Sequence, residues 1–123
     1  MAELILVDMF RMRKYRAFVH GVNFQMHTHG RDVVQPLGFY TNVFVEAEST
    51  EKAESIVIDL LRDSPKLRAD VLNPRDDPPR LFVEEIEEIT DWPVDTIRPL
   101  TGFAFYDDPD VSWRQRHEHA KNI

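Results

Sequence analysis

The chain has 123 residues, of which 42% are hydrophobic and 11% aromatic, and this composition suits one ordinary globular domain. It contains no cysteine, which excludes disulfides, thiolate metal sites and thiol chemistry. The formal net charge of -7 argues against a nucleic-acid-binding protein that works through bulk electrostatics, because phosphate contacts need lysine and arginine.

The N-terminal residues follow no single period. The apolar run at residues 4–7 fits a short strand or the beginning of a helix. One hypothesis is that translation begins at Met9 or Met12. The run lacks a signal peptide's basic start, and no stretch approaches the length of a membrane span, so we expect a cytoplasmic protein without membrane contact. A basic patch follows, which we expect to be a solvated edge or terminal arm or, alternatively, a docking site for an anionic partner. It consists of Arg11, Arg13, Lys14 and Arg16.

Residues 15–47 predict a long antiparallel hairpin. Alternation in its first half places six side chains on one face, and Gly21 on the other face indicates a bulge or a close approach by another backbone. We expect the turn at residues 28–32, where Gly30 can adopt a positive φ angle, and Pro36 near an edge or a bulge. The six side chains on one face are Arg16, Phe18, His20, Val22, Phe24 and Met26.

The second half of the hairpin leads directly into a helix, and residues 38–61 are expected to organise the fold. The odd positions of the strand form an almost wholly apolar face, whereas Tyr40 and Phe44 lie on the opposite face. Ser49 or Thr50 can cap the helix, and the residues around Pro65 end it. One apolar stripe at helical spacing is formed by Ala53, Ile56, Val57, Leu60 and Leu61.

The rest of the chain is expected to complete the sheet. Residues 66–72 alternate and predict a small strand or part of a turn, and the prolines of residues 73–79 indicate a loop. Residues 80–90 fit either a strand or a helix; we choose a strand because Leu81-Phe82-Val83 is β-rich. Residues 101–106 predict the last strand, and Asp110 can cap a short helix that contains Trp113.

This order of elements predicts one α+β domain over residues 1–123, with peripheral segments at residues 1–14 and 107–123. An antiparallel sheet of about four strands packs on one main helix: a long N-terminal hairpin, then a strand-helix-strand-strand order. The entry of the strand into the helix after Val45-Glu46-Ala47 resembles half of a ferredoxin-like fold. That resemblance implies packing and carries no function.

The histidines and carboxylates are the candidates for chemistry. His20 lies among apolar residues and is the one histidine considered for catalysis, although we expect a structural core residue. His27 and His29 form a His-x-His pair, as do His117 and His119, but neither pair belongs to a recognised metal motif, so we predict no metal and no other cofactor.

The acidic residues concentrate in two clusters. In a strand, Glu84 and Glu88 share a face, as do Glu85 and Glu87; such pairs more often form a solvated or protected strand edge than a catalytic or cation site. The group at residues 107–110 lacks the pattern of a calcium loop. No phosphate loop or nucleophile motif is present, so the sequence leans against an enzyme.

Apolar side chains on both faces of the strands are the more informative feature. As a strand, residues 80–90 place Leu81, Val83 and Ile89 on one side and Phe82 and Ile86 on the other. One helix covers one face of a sheet, so the terminal segments or a second copy of the chain must cover the other. We predict an interface formed by Tyr40, Phe44, Phe82 and Ile86.

The sequence therefore favours a non-catalytic binding or interaction module that acts as a homodimer. Its partner would be itself or another protein, bound at the aromatic sheet face or at residues 28–36; one version is a small acidic inhibitor of a basic protein. The alternative is a small metal- or acid-base-dependent enzyme that uses His20, His27, His29 and nearby carboxylates.

Overall fold

The computed structural model describes residues 11–27, 34–93, 100–109, 111, 114 and the backbone of residues 121–122. Several predictions lie outside these residues: those for residues 4–7, for the turn at residues 28–32 with His29, for Asp110 and Trp113, and for the pair His117 and His119. No helix in the described part of the chain is long and apolar enough to cross a bilayer.

The described residues form one antiparallel sheet with two helices, and the predicted α+β class is confirmed. The elements in chain order are β1 (Arg13–His27), β2 (Val34–Ala47), α1 (Thr50–Arg62), α2 (Pro65–Asp70), β3 (Arg80–Ile89), β4 (Ala104–Asp107) and β5 (Lys121–Asn122). The strand order in the sheet is β4-β2-β1-β3-β5. The long hairpin, the main helix and the strand choice for residues 80–90 are therefore correct, whereas the two-residue β5 was not predicted.

Helix α1 begins and ends where its sequence signals predict. Ser49 is the N-cap, and its hydroxyl accepts a hydrogen bond from the Lys52 backbone N–H at 3.2 Å. The helix buries its apolar stripe on one face of the sheet, and the side chains of both elements form the main core. The buried helix residues are Ala53, Val57, Ile58 and Leu61.

The prediction of a strand or a turn at residues 66–72 is wrong, because these residues contribute to helix α2. Pro65 occupies the first turn, where its missing N–H needs no partner and its fixed φ angle suits a helix. Leu67 is buried in the main core, and Lys66 pairs with Asp70 at 2.8 Å one turn later. The burial of Leu67 and the favourable helix start at Pro65 therefore outweigh the alternation of apolar and charged residues.

A bulge in β1 overturns part of the predicted face assignment. Gly21 pairs with Phe39 and Phe24 pairs with Leu37, so two residues of β1 oppose one residue of β2. Asn23 within the bulge has a φ angle of 59°. The extra residue reverses the alternation, so Phe24 packs in the main core rather than beside His20.

Met26 follows Phe24 into the main core for the same reason. Val22 remains on the other side of the sheet, where it forms a small cluster with Phe82, and Val111 packs against this cluster. A segment after β4 therefore covers one end of the sheet face that α1 does not cover.

Side chains from a loop fix the bulge. The Asn23 side-chain amide donates to the Asp77 carboxylate at 3.0 Å and to the Pro78 carbonyl at 3.2 Å. The Asn73 side chain donates to the Asn23 carbonyl at 2.7 Å and accepts from the Gln25 backbone N–H at 2.9 Å. The predicted loop at residues 73–79 thus satisfies the polar groups that the bulge removes from the strand pairing.

A second bulge, in β3, overturns the placement of Ile86. Val19 pairs with Val83, but Phe18 pairs with Glu85, so Glu84 is the additional residue. Beyond this point Ile86 packs against the main core together with Val83, not on the side of Phe82. Unbroken alternation would place Ile86 beside Phe82, and the bulge reverses it.

Candidate functional site

The sheet face opposite α1, which we call the distal face, carries a cluster of aromatic rings around Tyr40. The Tyr40 ring stacks on His20 at a centroid distance of 4.4 Å, on Phe18 at 5.4 Å and on Tyr106 at 5.6 Å. The interplanar angles of these contacts are 13°, 4° and 25°. Tyr40 remains 38% exposed, so the cluster presents one large ring to its surroundings.

Strand register explains why these rings meet. His20 and Tyr40 are directly paired residues of β1 and β2, and paired residues project to the same face. Phe18 lies two residues from His20 and therefore on the same side. Tyr106 comes from β4, where its cross-strand partner is Gly38.

The pairing of Tyr106 with glycine is required by geometry. A Cβ atom at Gly38 would overlap the phenol end of the Tyr106 ring, so this ring lies across the backbone of β2. The absence of a side chain at Gly38 allows the Tyr106 hydroxyl to extend over β2 and reach His20 on β1.

His20 is buried and has polar partners at both ring nitrogens. Its Nε2 atom and the Tyr106 hydroxyl are hydrogen bonded, and its Nδ1 atom lies 3.4 Å from the Glu84 carboxylate. The side chain of His20 is only 3% exposed, whereas that of Glu84 is 34% exposed. A carboxylate beside Nδ1 favours the proton on that nitrogen, so we assign Nε2 as the acceptor of the Tyr106 proton.

This Glu84-His20-Tyr106 chain can position or accept a proton, because a carboxylate orients an imidazole that contacts a hydroxyl. The expectation that His20 is a core histidine with satisfied ring nitrogens agrees with this geometry. Glu84 reaches His20 because it is the bulge residue of β3. It therefore lies on the side where Glu85 and Glu87 bind Arg16, and the expected pairing of Glu84 with Glu88 on one face is wrong.

A charged network borders the aromatic cluster. Arg16 donates to Glu87 at 2.8 Å, to Glu85 at 3.0 Å and to the Asn42 side-chain carbonyl at 2.9 Å. The hydrogen bond to Glu87 raises the pKa of Arg16 above its ordinary value, and partial burial acts in the opposite direction. Arg16 therefore stays positively charged and links β1 to both of its neighbours.

A shallow groove lies beside Tyr40. It has a volume of about 360 Å³ and is lined by Phe18, Tyr40, Asn42 and Thr101, among others. Its outer wall is held in place because the Asn42 backbone N–H donates to the Thr101 hydroxyl at 3.2 Å. The groove combines aromatic surfaces with a few polar groups, as ligand and protein contact sites commonly do.

Three of the four predicted interface residues share the distal face, but only Tyr40 is exposed. Phe44 is 6% exposed and contacts the Trp92 ring edge-on at 6.2 Å. Phe82 is 9% exposed, in the cluster with Val22 and Val111. Ile86 lies on the other face, so the exposed part of this surface centres on Tyr40.

The predicted metal candidates do not converge in the described structure. His27 is exposed at the end of β1, and His29 lies outside the described residues. Across those described, no group of three or more His, Asp or Glu side chains is placed to hold a metal ion.

The basic patch is partly integrated into the sheet, because three of its four residues belong to β1. Arg13 begins β1 and lies 3.9 Å from Glu88, and the Lys14 ammonium lies 5.8 Å from the centre of the Trp92 ring. Arg16 forms the network described above.

The sequence analysis did not find Tyr106 or Glu84 as partners of His20. Their proximity depends on strand register and on a bulge, and neither leaves a local signal in the sequence. Gly38 was the available indication, since a glycine within a strand marks a close approach by another group.

No protein-family model, no curated protein and no solved structure matches this chain.

Proposed function

We propose that this protein is a non-catalytic binding module that acts as a homodimer, and that two copies meet through the distal face. The observation that carries the proposal is the exposed ring of Tyr40, which is held by stacking on three neighbouring rings. A rigid aromatic side chain contributes a large contact area and loses little conformational freedom on binding.

Self-complementarity supports a second copy as the partner. A two-fold interface repeats one patch on both subunits, so that patch needs a projecting group beside a recess and charges of both signs. The distal face has Tyr40 next to a groove of about 360 Å³. It also has Arg16 next to Glu85 and Glu87, whose side chains are 57% and 48% exposed and can accept bonds from a partner.

Sedimentation velocity over a micromolar concentration series tests this proposal. We expect the wild type to sediment as a dimer and the variant Tyr40→Glu as a monomer, because a buried unpaired carboxylate opposes association. Leu72→Glu is the matched control: Leu72 is 49% exposed, lies outside the distal face, and its replacement should leave the dimer intact. Circular dichroism verifies that both variants are folded. A wild type that is monomeric throughout the series would overturn the proposal.

The second candidate function is acid–base catalysis, favoured by the Glu84-His20-Tyr106 chain. It ranks second because His20 is 3% exposed, so a substrate would reach Tyr106 rather than the imidazole. Hydrolysis of p-nitrophenyl acetate is a simple probe: catalysis at this site requires that His20→Gln and Tyr106→Phe both lose activity while Glu87→Gln retains it. Equal rates in all four proteins would exclude this candidate.

A further inference from the structure

A second surface, at the junction of α1, α2 and the loop after them, combines an apolar floor with a basic rim. We call it the arginine groove. It has a volume of about 560 Å³, within the range of ligand-binding cavities. Its floor includes Leu67, Val71 and Pro78. It lies on the side of α1 and shares no lining residue with the groove beside Tyr40.

Three arginines from separate segments surround this floor: Arg62 at the end of α1, Arg68 in α2 and Arg75 in the loop. One acidic residue, Asp63, lines the same groove. The local excess of positive charge contrasts with the net charge of -7 for the whole chain. An anionic group is therefore attracted to this groove although the chain as a whole is acidic.

The existing ion pair of Arg68 is weak. Arg68 lies 3.7 Å from Asp63, and the two side chains are 70% and 71% exposed. An exposed pair at such a distance contributes little to stability, so the Arg68 guanidinium group can turn to another carboxylate at small cost. Arg75 is exposed and forms no ion pair with any residue in the described ranges.

We propose that the arginine groove binds an acidic peptide segment of a partner protein, with an aliphatic side chain on the floor and flanking carboxylates on the arginines. Guanidinium groups match carboxylates in a planar, two-bonded geometry, which provides the polar part of recognition. The floor supplies the apolar part, because Val71 and Pro78 are only partly buried, and a partner side chain can cover their remaining apolar surface above the buried Leu67. A nucleic acid presents many more phosphates than three arginines can neutralise, and the net negative charge of the chain repels it more strongly than one short peptide.

Fluorescence anisotropy with three labelled, end-capped peptides tests the proposal. The first probe is Glu-Glu-Leu-Glu-Glu, the second replaces every glutamate by glutamine, and the third replaces the leucine by glycine. We expect the first probe to bind most tightly, to weaken as salt is added, and to bind about tenfold more weakly to the double variant Arg68→Glu/Arg75→Glu. Equal binding of the first and second probes would overturn the proposal, and equal binding of the first and third would remove the role of the floor.

The matched control is Arg11→Glu/Arg13→Glu, which changes the net charge by the same amount near the beginning of β1. We expect it to bind the first probe nearly as well as the wild type. An equal loss in both double variants would show that total charge, not the groove, attracts the peptide, and would overturn the proposal. This test is independent of the distal face, because none of the altered residues contacts Tyr40.

Discussion

The ring of Tyr106 lies over Gly38, its partner in the neighbouring strand, at the position that a side chain at Gly38 would occupy. This contact is what brings the Tyr106 hydroxyl to His20. The fit of one ring over one glycine therefore controls the polar centre of the distal face, and it can be tested by substitution.

Replacement of Gly38 by alanine should destabilise the protein by about 2–4 kcal/mol, because the added methyl group displaces the Tyr106 ring and breaks its hydrogen bond with His20. Urea denaturation measures the free energy of unfolding. In the double variant Gly38→Ala/Tyr106→Ala the overlap is absent. Its loss of unfolding free energy should therefore be smaller than the sum of the losses in the two single variants. Full additivity would show that the ring does not rest on Gly38.

The hydrogen bond between Tyr106 and His20 can be tested without a change in packing. Tyr106→Phe should cost about 1–3 kcal/mol, because it leaves a buried imidazole nitrogen without its donor. The matched control is Tyr40→Phe, which removes a hydroxyl from an exposed ring of the same cluster and should change stability by less than about 0.5 kcal/mol. Similar losses in the two variants would contradict the special role of the Tyr106 hydroxyl.

The bulge in β1 predicts an unusual order of substitutions at Asn23. With a φ angle of 59°, this residue occupies a region that costs alanine about 1–2 kcal/mol and glycine almost nothing. Both Asn23→Ala and Asn23→Gly lose the hydrogen bonds to the loop at Asp77 and Pro78. Glycine loses more backbone entropy than alanine on folding, at a cost of about 0.5–1 kcal/mol, which offsets part of its advantage. Thermal and urea unfolding should therefore show Asn23→Gly as the more stable variant by about 0.5–1 kcal/mol. The opposite order would contradict the positive φ angle.

The Arg16 network should persist at alkaline pH. Because the pKa of Arg16 is raised in the folded protein, its stabilisation is fully present below the unfolded pKa of an arginine and is lost only as the pH rises through the folded value. A double-mutant cycle with Arg16→Met and Glu87→Gln should give a coupling of about 0.5–1.5 kcal/mol at both pH 7 and about pH 11.

A lysine at this position provides the control for the Arg16 prediction. In the background Arg16→Lys the coupling to Glu87 should decrease between pH 7 and about pH 11, because the pKa of an ordinary lysine is about 10.4. A decrease of the same size with the native arginine would contradict the prediction.

The sequence was sufficient where one pattern runs unbroken through an element. The odd positions of β2 from Phe39 to Ala47 are all buried, and helix α1 begins directly after its N-cap residue Ser49. In these segments the period of the apolar residues, the helix cap and the burial of the side chains indicate the same structure. Local physical chemistry therefore determines it.

The sequence was insufficient where one additional residue in a strand reverses the faces to which the following side chains point. The bulges at Asn23 and Glu84 moved Phe24, Met26 and Ile86 to the face under α1. A bulge is stabilised by groups distant in sequence, such as Asn73 and Asp77 for the bulge in β1, so the strand itself does not reveal it.

The site on the distal face depends even more on distant residues. His20 and Tyr106 are separated by 86 positions, and they meet only because β4 joins the edge of β2 in one register. The sequence identified His20 and Tyr40 as residues of interest, but their partners required the strand pairing.

The central position of β1 has a consequence for the order of folding. β1 pairs on one side with β2, which begins at Val34, soon after β1 ends at His27, and on the other side with β3, which comes after helices α1 and α2. Pairing of segments close in sequence costs less entropy, so we expect the hairpin to form first and leave the second edge of β1 without partners until β3 arrives. During synthesis on the ribosome this nascent hairpin would be the species most prone to pair with another chain.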